Sequence, residues 1–189
     1  MPRYNSYNDY KTAAQRHLMT CDYLVKSLSL PDNLAHKPNT SSYKSHLLRN
    51  IYYLSGYTIE CMVNYAIYEC VNDTKPRAQR ISRVNQLYEP TYSLVFKEFG
   101  RGSFQYVIAW HNFQENMKVL NNLATSKFSQ IPVIGQSVYP ANWTTIRQLF
   151  DDWEPQVRYT SVVYTEQQII DFHKLSLDIY TNIRSCITT

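Results

Sequence analysis

Between His46 and Cys70 the chain reads HLLRNIYYLSGYTIECMVNYAIYEC, its longest run of helical apolar periodicity. Leu47, Leu48, Ile51, Leu54, Ser55, Thr58, Ile59, Met62, Ala66 and Cys70 recur at the spacing of one helix face. The opposite face carries Arg49, Tyr53, Gly56, Tyr57, Glu60 and Asn64, which are aromatic, small and sparsely polar. A helix with so little that belongs in water on either side has to be covered on both. Arg49, Glu60 and Asn64 make it too polar for a bilayer. The fold must therefore put this helix at its centre.

The flanking segments supply partners for it. Residues 6–29 predict a first helix with Tyr10, Ala14, His17, Cys21, Leu24 and Leu28 as its seam, widened by Ala13, Leu18 and Val25. Pro31 stops it, and Thr40, Ser41 or Ser42 caps the central helix. Pro76 after Asn72-Asp73-Thr74 opens a short helix over 76–88. Residues 104–122 predict a further helix through Val107, Ile108, His111, Met117 and Leu120. Asn142 caps a short one with Trp143, Ile146, Leu149, Phe150 and Trp153. Glu-Pro-Gln-Val-Arg-Tyr interrupts, and Thr165 caps the last helix. Its inner stripe is Ile169, Phe172, His173, Ser176, Ile179, Tyr180, Ile183 and Ile187. No repeat or low-complexity tract breaks the order. The expected architecture is a single all-α domain, an up-and-down bundle of four to five helices. An irregular insertion at about 72–103 and a long loop at about 124–141 are added to it, and a loop of that length is usually functional or mobile.

Composition narrows the chemistry. Four glycines argue against a glycine-cradled phosphate site, and 17 tyrosines supply amphipathic aromatic surface. The net charge of +4 allows an anionic partner without requiring one. Cys21, Cys61, Cys70 and Cys186 form no C-x-x-C pair and read as free thiols of a reducing compartment. With no signal-peptide pattern at the N-terminus, the expected location is cytoplasmic. No metal-ligand spacing and no nucleophile elbow occur, so neither a metal nor a cofactor is expected.

Tyr52–Ile67, YYLSGYTIECMVNYAI, resembles the signature helix of the HEPN-domain family. Tyr53, Leu54, Gly56, Tyr57 and Glu60 match that family's Tyr-Leu-x-Gly-Tyr-x-x-Glu run, and Cys61 is a common follower. The first helix is similar to the family's opening helix. His111-Asn112-Phe113 resembles a later helix start, and Trp153 with Arg158-Tyr159 resembles the closing segment. The resemblance implies a four- or five-helix bundle and a homodimer. It also implies nucleotide or RNA binding, partnership with a nucleotidyltransferase, and a setting in toxin–antitoxin or phage-defence systems. Ribonuclease members carry an Arg four to six residues before a His. None of His17, His36, His46, His111 or His173 has an Arg in that window.

The candidate site residues follow from chemistry and resemblance together. Glu60 shares a face with Gly56 and Asn64 and is expected to pair with Arg158 across the bundle. Arg158 suits a phosphate, because a guanidinium forks onto its oxygens. Tyr159 can stack on a base, and His111 can exchange protons near neutral pH. His17 and His173 lie on apolar stripes and read as core histidines with a satisfied hydrogen bond. Lys75, Arg77, Arg80 and Arg83 form the most basic stretch, a candidate RNA footprint. The first expectation is a non-catalytic module binding a nucleotide, RNA or partner protein in a groove of Tyr57, Glu60, His111, Arg158 and Tyr159. The second is a metal-independent ribonuclease with His111 and Arg158 as a noncontiguous pair. The third is a structural dimer that uses the 72–103 insertion as its contact surface.

Overall fold

The computed structural model describes residues 6–29, 40–73, 76, 77, 80, 116, 117, 119, 120, 143–160 and 163–188. All the regular structure among them is helical. Helix α1 is Asn8–Leu28, α2 is Thr40–Asp73, α3 is Trp143–Asp151, and α4 is Glu166–Thr188. A 3-10 turn, Pro155–Arg158, joins α3 to α4. Residues 116, 117, 119 and 120 are also helical and buried.

The central helix is longer than its apolar run, adding a turn and a half of polar sequence before His46. Ser41 and Ser42 therefore lie inside it and do not cap it. Lys44 in this extension reaches Glu166 at the start of α4 at 2.6 Å. From Cys61 to Tyr68 every residue of α2 is buried, as a helix covered all round requires.

Two sets of contacts fix the directions of its neighbours. Cys21 meets Ile51 and Ser55, whereas Tyr7 stacks on Tyr65 and Tyr68, so α1 runs antiparallel to α2. Tyr52 meets Phe172 edge-on and Ser55 meets His173, downstream of the Lys44–Glu166 pair, so α4 runs parallel to α2. The core these three helices enclose includes Ala14, Leu18, Ile51, Ile59, Met62, Ala66, Ile169, Phe172 and Ile183. Helix α4 opens on a capping box. Gln168 N–H donates to the Thr165 hydroxyl at 3.3 Å, and Thr165 N–H donates to Gln168 Oε1 at 2.8 Å.

Helix α3 closes one side of this core through Ile146, Leu149 and Phe150. Tyr52 donates to the Leu149 carbonyl at 2.7 Å, and this ties α3 to α2. Beyond α3 the chain turns through Trp153. Its indole lies against Gly56 so closely that a Cβ there would collide with the ring. The indole N–H donates to the Tyr53 carbonyl at 3.2 Å. Gly56 is the recess that lets the 3-10 turn dock, and the turn then carries Arg158 to the helix surface.

All four cysteines are free and buried. Burial pushes the thiols of Cys21 and Cys61 up to about 12, which makes them packing groups and not nucleophiles at neutral pH. Among the described residues no helix is long and apolar enough to cross a membrane. The expected caps Asn142 and Thr40, the stop at Pro31, most of the 72–103 insertion and the 124–141 loop lie outside what the structure describes or shows at side-chain level.

Candidate functional site

Tyr53 and Tyr57 lie one turn apart on α2, beside Gly56. Their rings meet edge-on with centroids 4.8 Å apart, and Tyr57 meets Trp153 perpendicularly at 5.1 Å. The docked 3-10 turn then places Arg158 over this pair. The guanidinium Nη1 donates to the Tyr53 hydroxyl at 3.1 Å, and its carbon lies 5.6 Å from that ring's centre. Nη2 donates to the Tyr159 hydroxyl, and the guanidinium stands 4.4 Å over the Tyr159 ring. Hydrogen bonding to Tyr159 first, and to Tyr53 second, raises the Arg158 pKa further above its ordinary value, so the group is a permanent cation.

The expected pairing of Arg158 with Glu60 is not what holds the arginine; its hydrogen bonds go to two phenols. The physical reason is its position. Arg158 projects from the end of an exposed turn into water, where a cation needs no buried counter-charge. Glu60 sits half-buried one turn beyond Tyr57, and its charge is felt at the Tyr57 hydroxyl. Burial is the main reason the Tyr57 pKa is raised, followed by its hydrogen bond to Tyr53. That phenol stays protonated at neutral pH. Tyr53 thus accepts from Arg158 and shares a hydrogen bond with Tyr57. Tyr159 is 72% exposed, an aromatic face in water beside a cation.

The structure thus brings together Tyr57, Glu60, Arg158 and Tyr159, and adds Tyr53, Trp153 and Gly56. His111 lies outside the described residues, as do Lys75 and Arg83. Arg77 and Arg80 are described and exposed, but they belong to another part of the molecule. The charge of Arg80 acts on Tyr7, whose hydroxyl donates to Glu69 at 3.1 Å. Glu69 is about 24 Å along α2 from Tyr53 at the rise of a helix. Arg80 and the Arg158 cluster therefore lie in separate places.

The two core histidines separate as well. His173 is buried between three helices. Its Nε2 meets Asp22 Oδ1 at 2.9 Å, and its Nδ1 meets the Ser55 hydroxyl at 3.3 Å. Ser55 in turn touches Cys21 Sγ at 3.6 Å. An ionised carboxylate only accepts, which places a proton on Nε2 and lets Nδ1 accept from Ser55. His17 is different: half-buried, it lies against Tyr57 with ring centroids 5.6 Å apart, and no hydrogen bond holds it among the described residues. The expectation of a satisfied core histidine holds for His173 and fails for His17.

Among the described residues no three metal-ligating side chains come together. Comparison with known proteins finds no matching family model, no similar curated protein and no similar solved structure.

Proposed function

We propose that this chain is an HEPN-like helical bundle that binds a phosphate-bearing ligand, a nucleotide or single-stranded RNA, without cleaving it. The observation that carries the reading is Arg158. It is a permanent cation held in water above two phenols, with no carboxylate among the described residues as its hydrogen-bond partner, beside an exposed tyrosine ring. Guanidinium N–H groups and the Tyr53 O–H supply donors for phosphate oxygens, and the Tyr159 face supplies a stacking platform for a base. Glu60, one turn past Tyr57, supplies the acceptor that a ribose hydroxyl or a base amino group needs. A homodimer, a nucleotidyltransferase partner and a place in a toxin–antitoxin or defence system follow from the HEPN resemblance alone.

The test is binding of an oligouridylate lacking a terminal phosphate, followed by calorimetry, to wild type, Arg158→Gln and Tyr159→Ala. Arg158→Gln is expected to lose at least about tenfold in affinity, the scale of a charge-assisted hydrogen bond. Tyr159→Ala is expected to lose a comparable amount through the missing base stack. Wild-type protein that is folded and does not bind the oligonucleotide or uridine 5′-monophosphate would end this reading. Chelator-resistant cleavage of the RNA would replace it with the ribonuclease alternative.

A further inference from the structure

We infer that His17, on α1, is a second phosphate-contacting group of this same site. The inference rests on the binding function proposed above and adds the residue that makes binding depend on protons. Its ground is geometry. His17, Tyr57, Tyr53 and Arg158 form a continuous row across α1, α2 and the 3-10 turn, each ring or guanidinium in contact with the next. His17 closes the end of the row opposite Arg158. Its ring is half-buried and makes no hydrogen bond among the described residues.

The groups around His17 can be named element by element. From α2 it faces Tyr57, with Tyr53 one turn before and Glu60 one turn after. From the 3-10 turn the nearest charge in the row is Arg158. On α1 itself Cys21 lies one turn on, and Arg16 is its exposed neighbour. Cys21 and Tyr57 are uncharged at neutral pH, because burial raises both. Among the described residues, no hydrogen bond, ion pair or ring contact joins His17 to α4.

Burial holds the His17 pKa below its ordinary 6.5, so the unliganded protein carries a neutral imidazole at pH 7. A phosphate diester placed beside it favours the imidazolium. Binding then takes up a proton, and by linkage the affinity rises as pH falls from the liganded pKa toward the lower, unliganded one. Arg158 cannot produce this behaviour, since it is charged throughout.

The experiment follows binding of the same oligouridylate between pH 8 and pH 5.5, a range in which its diesters do not titrate. Wild-type affinity is expected to rise about tenfold as the pH falls, the result of a single histidine gaining one pKa unit on binding. His17→Gln is expected to bind with the high-pH affinity of the wild type at every pH. The His17 ring signal in a proton NMR titration, assigned by its loss in that variant, is expected to move to higher pKa when RNA is added. Binding that is flat with pH in the wild type, or a pH dependence that survives in His17→Gln, overturns this inference while leaving the site itself intact. Absence of binding at every pH overturns the inference and the proposed function together.

Discussion

Ser55 stands between Tyr53 and Tyr57 in sequence, yet the two kinds of residue build opposite places. Two positions on a helix turn the side chain through about 200°. Ser55 therefore faces α1 and α4, where it joins Cys21, His173 and Asp22 in a buried polar chain. Tyr53 and Tyr57 face outward, where they meet Trp153, Arg158 and His17. Both clusters contain a histidine, hydroxyls and a charged residue. In the first, both imidazole nitrogens have found partners inside the protein, so the cluster fixes how three helices sit against one another. In the second, Arg158 and the Tyr159 ring stand in water. The first cluster is enclosed and fixes structure, and the second is open to whatever the proposed binding brings to it.

The sharpest way to break this contrast is at Gly56, which the outer cluster depends on. Gly56→Ala gains up to about 1 kcal/mol of helix propensity. It also drives a methyl into the Trp153 indole, and overpacking of that kind costs about 1–3 kcal/mol. The steric term wins, since the obstacle is a rigid ring held by its own hydrogen bond. The expected result is a net loss of up to about 2 kcal/mol in urea unfolding, together with loss of oligouridylate binding as the turn carrying Arg158 undocks. A variant that is as stable as wild type and binds normally would show that the turn does not need this recess.

The inner cluster is tested by Ser55→Ala. It removes the hydroxyl that satisfies His173 Nδ1 and leaves the ring in place, at an expected cost of about 1 kcal/mol. Binding is expected to be unchanged once the protein is folded. A binding defect larger than the stability defect would show that the two faces of α2 communicate.

How much of this was legible in the sequence depends on which face one reads. The inner face was written in the spacing: Ser55, Thr58, Ile59, Met62 and Ala66 are buried, as their periodicity requires. Thr165 caps α4, and the inner stripe Ile169, Phe172, His173, Ser176, Ile179, Tyr180 and Ile183 is buried. The outer face was legible only as a set of residue types. Gly56 was visible as a signature position, but that it receives Trp153 depends on a contact nearly a hundred residues away. The Arg158–Glu60 pairing expected from charge gives way to hydrogen bonds with two phenols, because sequence does not say which side chains project into water. His17 and His173 sit on similar stripes, so only the helix crossing could show that one is enclosed and the other borders a phenol.

A smaller effect belongs to His17 and appears in the pH dependence of stability. Burial depresses His17 in the folded protein, whereas the unfolded chain protonates it near 6.5. The unfolded state therefore binds more protons in the window just below that value, and stability falls as pH drops through it. His17→Gln is expected to remove this share of the acid sensitivity, seen as a flatter plot of urea midpoint against pH from 7 to 5. An unchanged slope would mean that His17 is as free in the fold as in the open chain.

The smallest expected effect on stability is the most informative one. Tyr53→Phe deletes a single hydroxyl, one that accepts from Arg158 and hydrogen-bonds with Tyr57. The Trp153 anchor is untouched, since it uses the Tyr53 carbonyl and not the phenol. The unfolding midpoint is therefore expected not to move measurably. Oligouridylate affinity should nevertheless fall about threefold to tenfold, because Arg158 loses the partner that orients it and the ligand loses one donor. That drop should be smaller than the loss in Arg158→Gln, which removes the cation itself. If Tyr53→Phe weakens folding and leaves binding alone, the outer cluster is a second structural network, and its exposure is incidental. If it weakens binding and leaves folding alone, the spare donors on this face are there for something that comes from outside the chain.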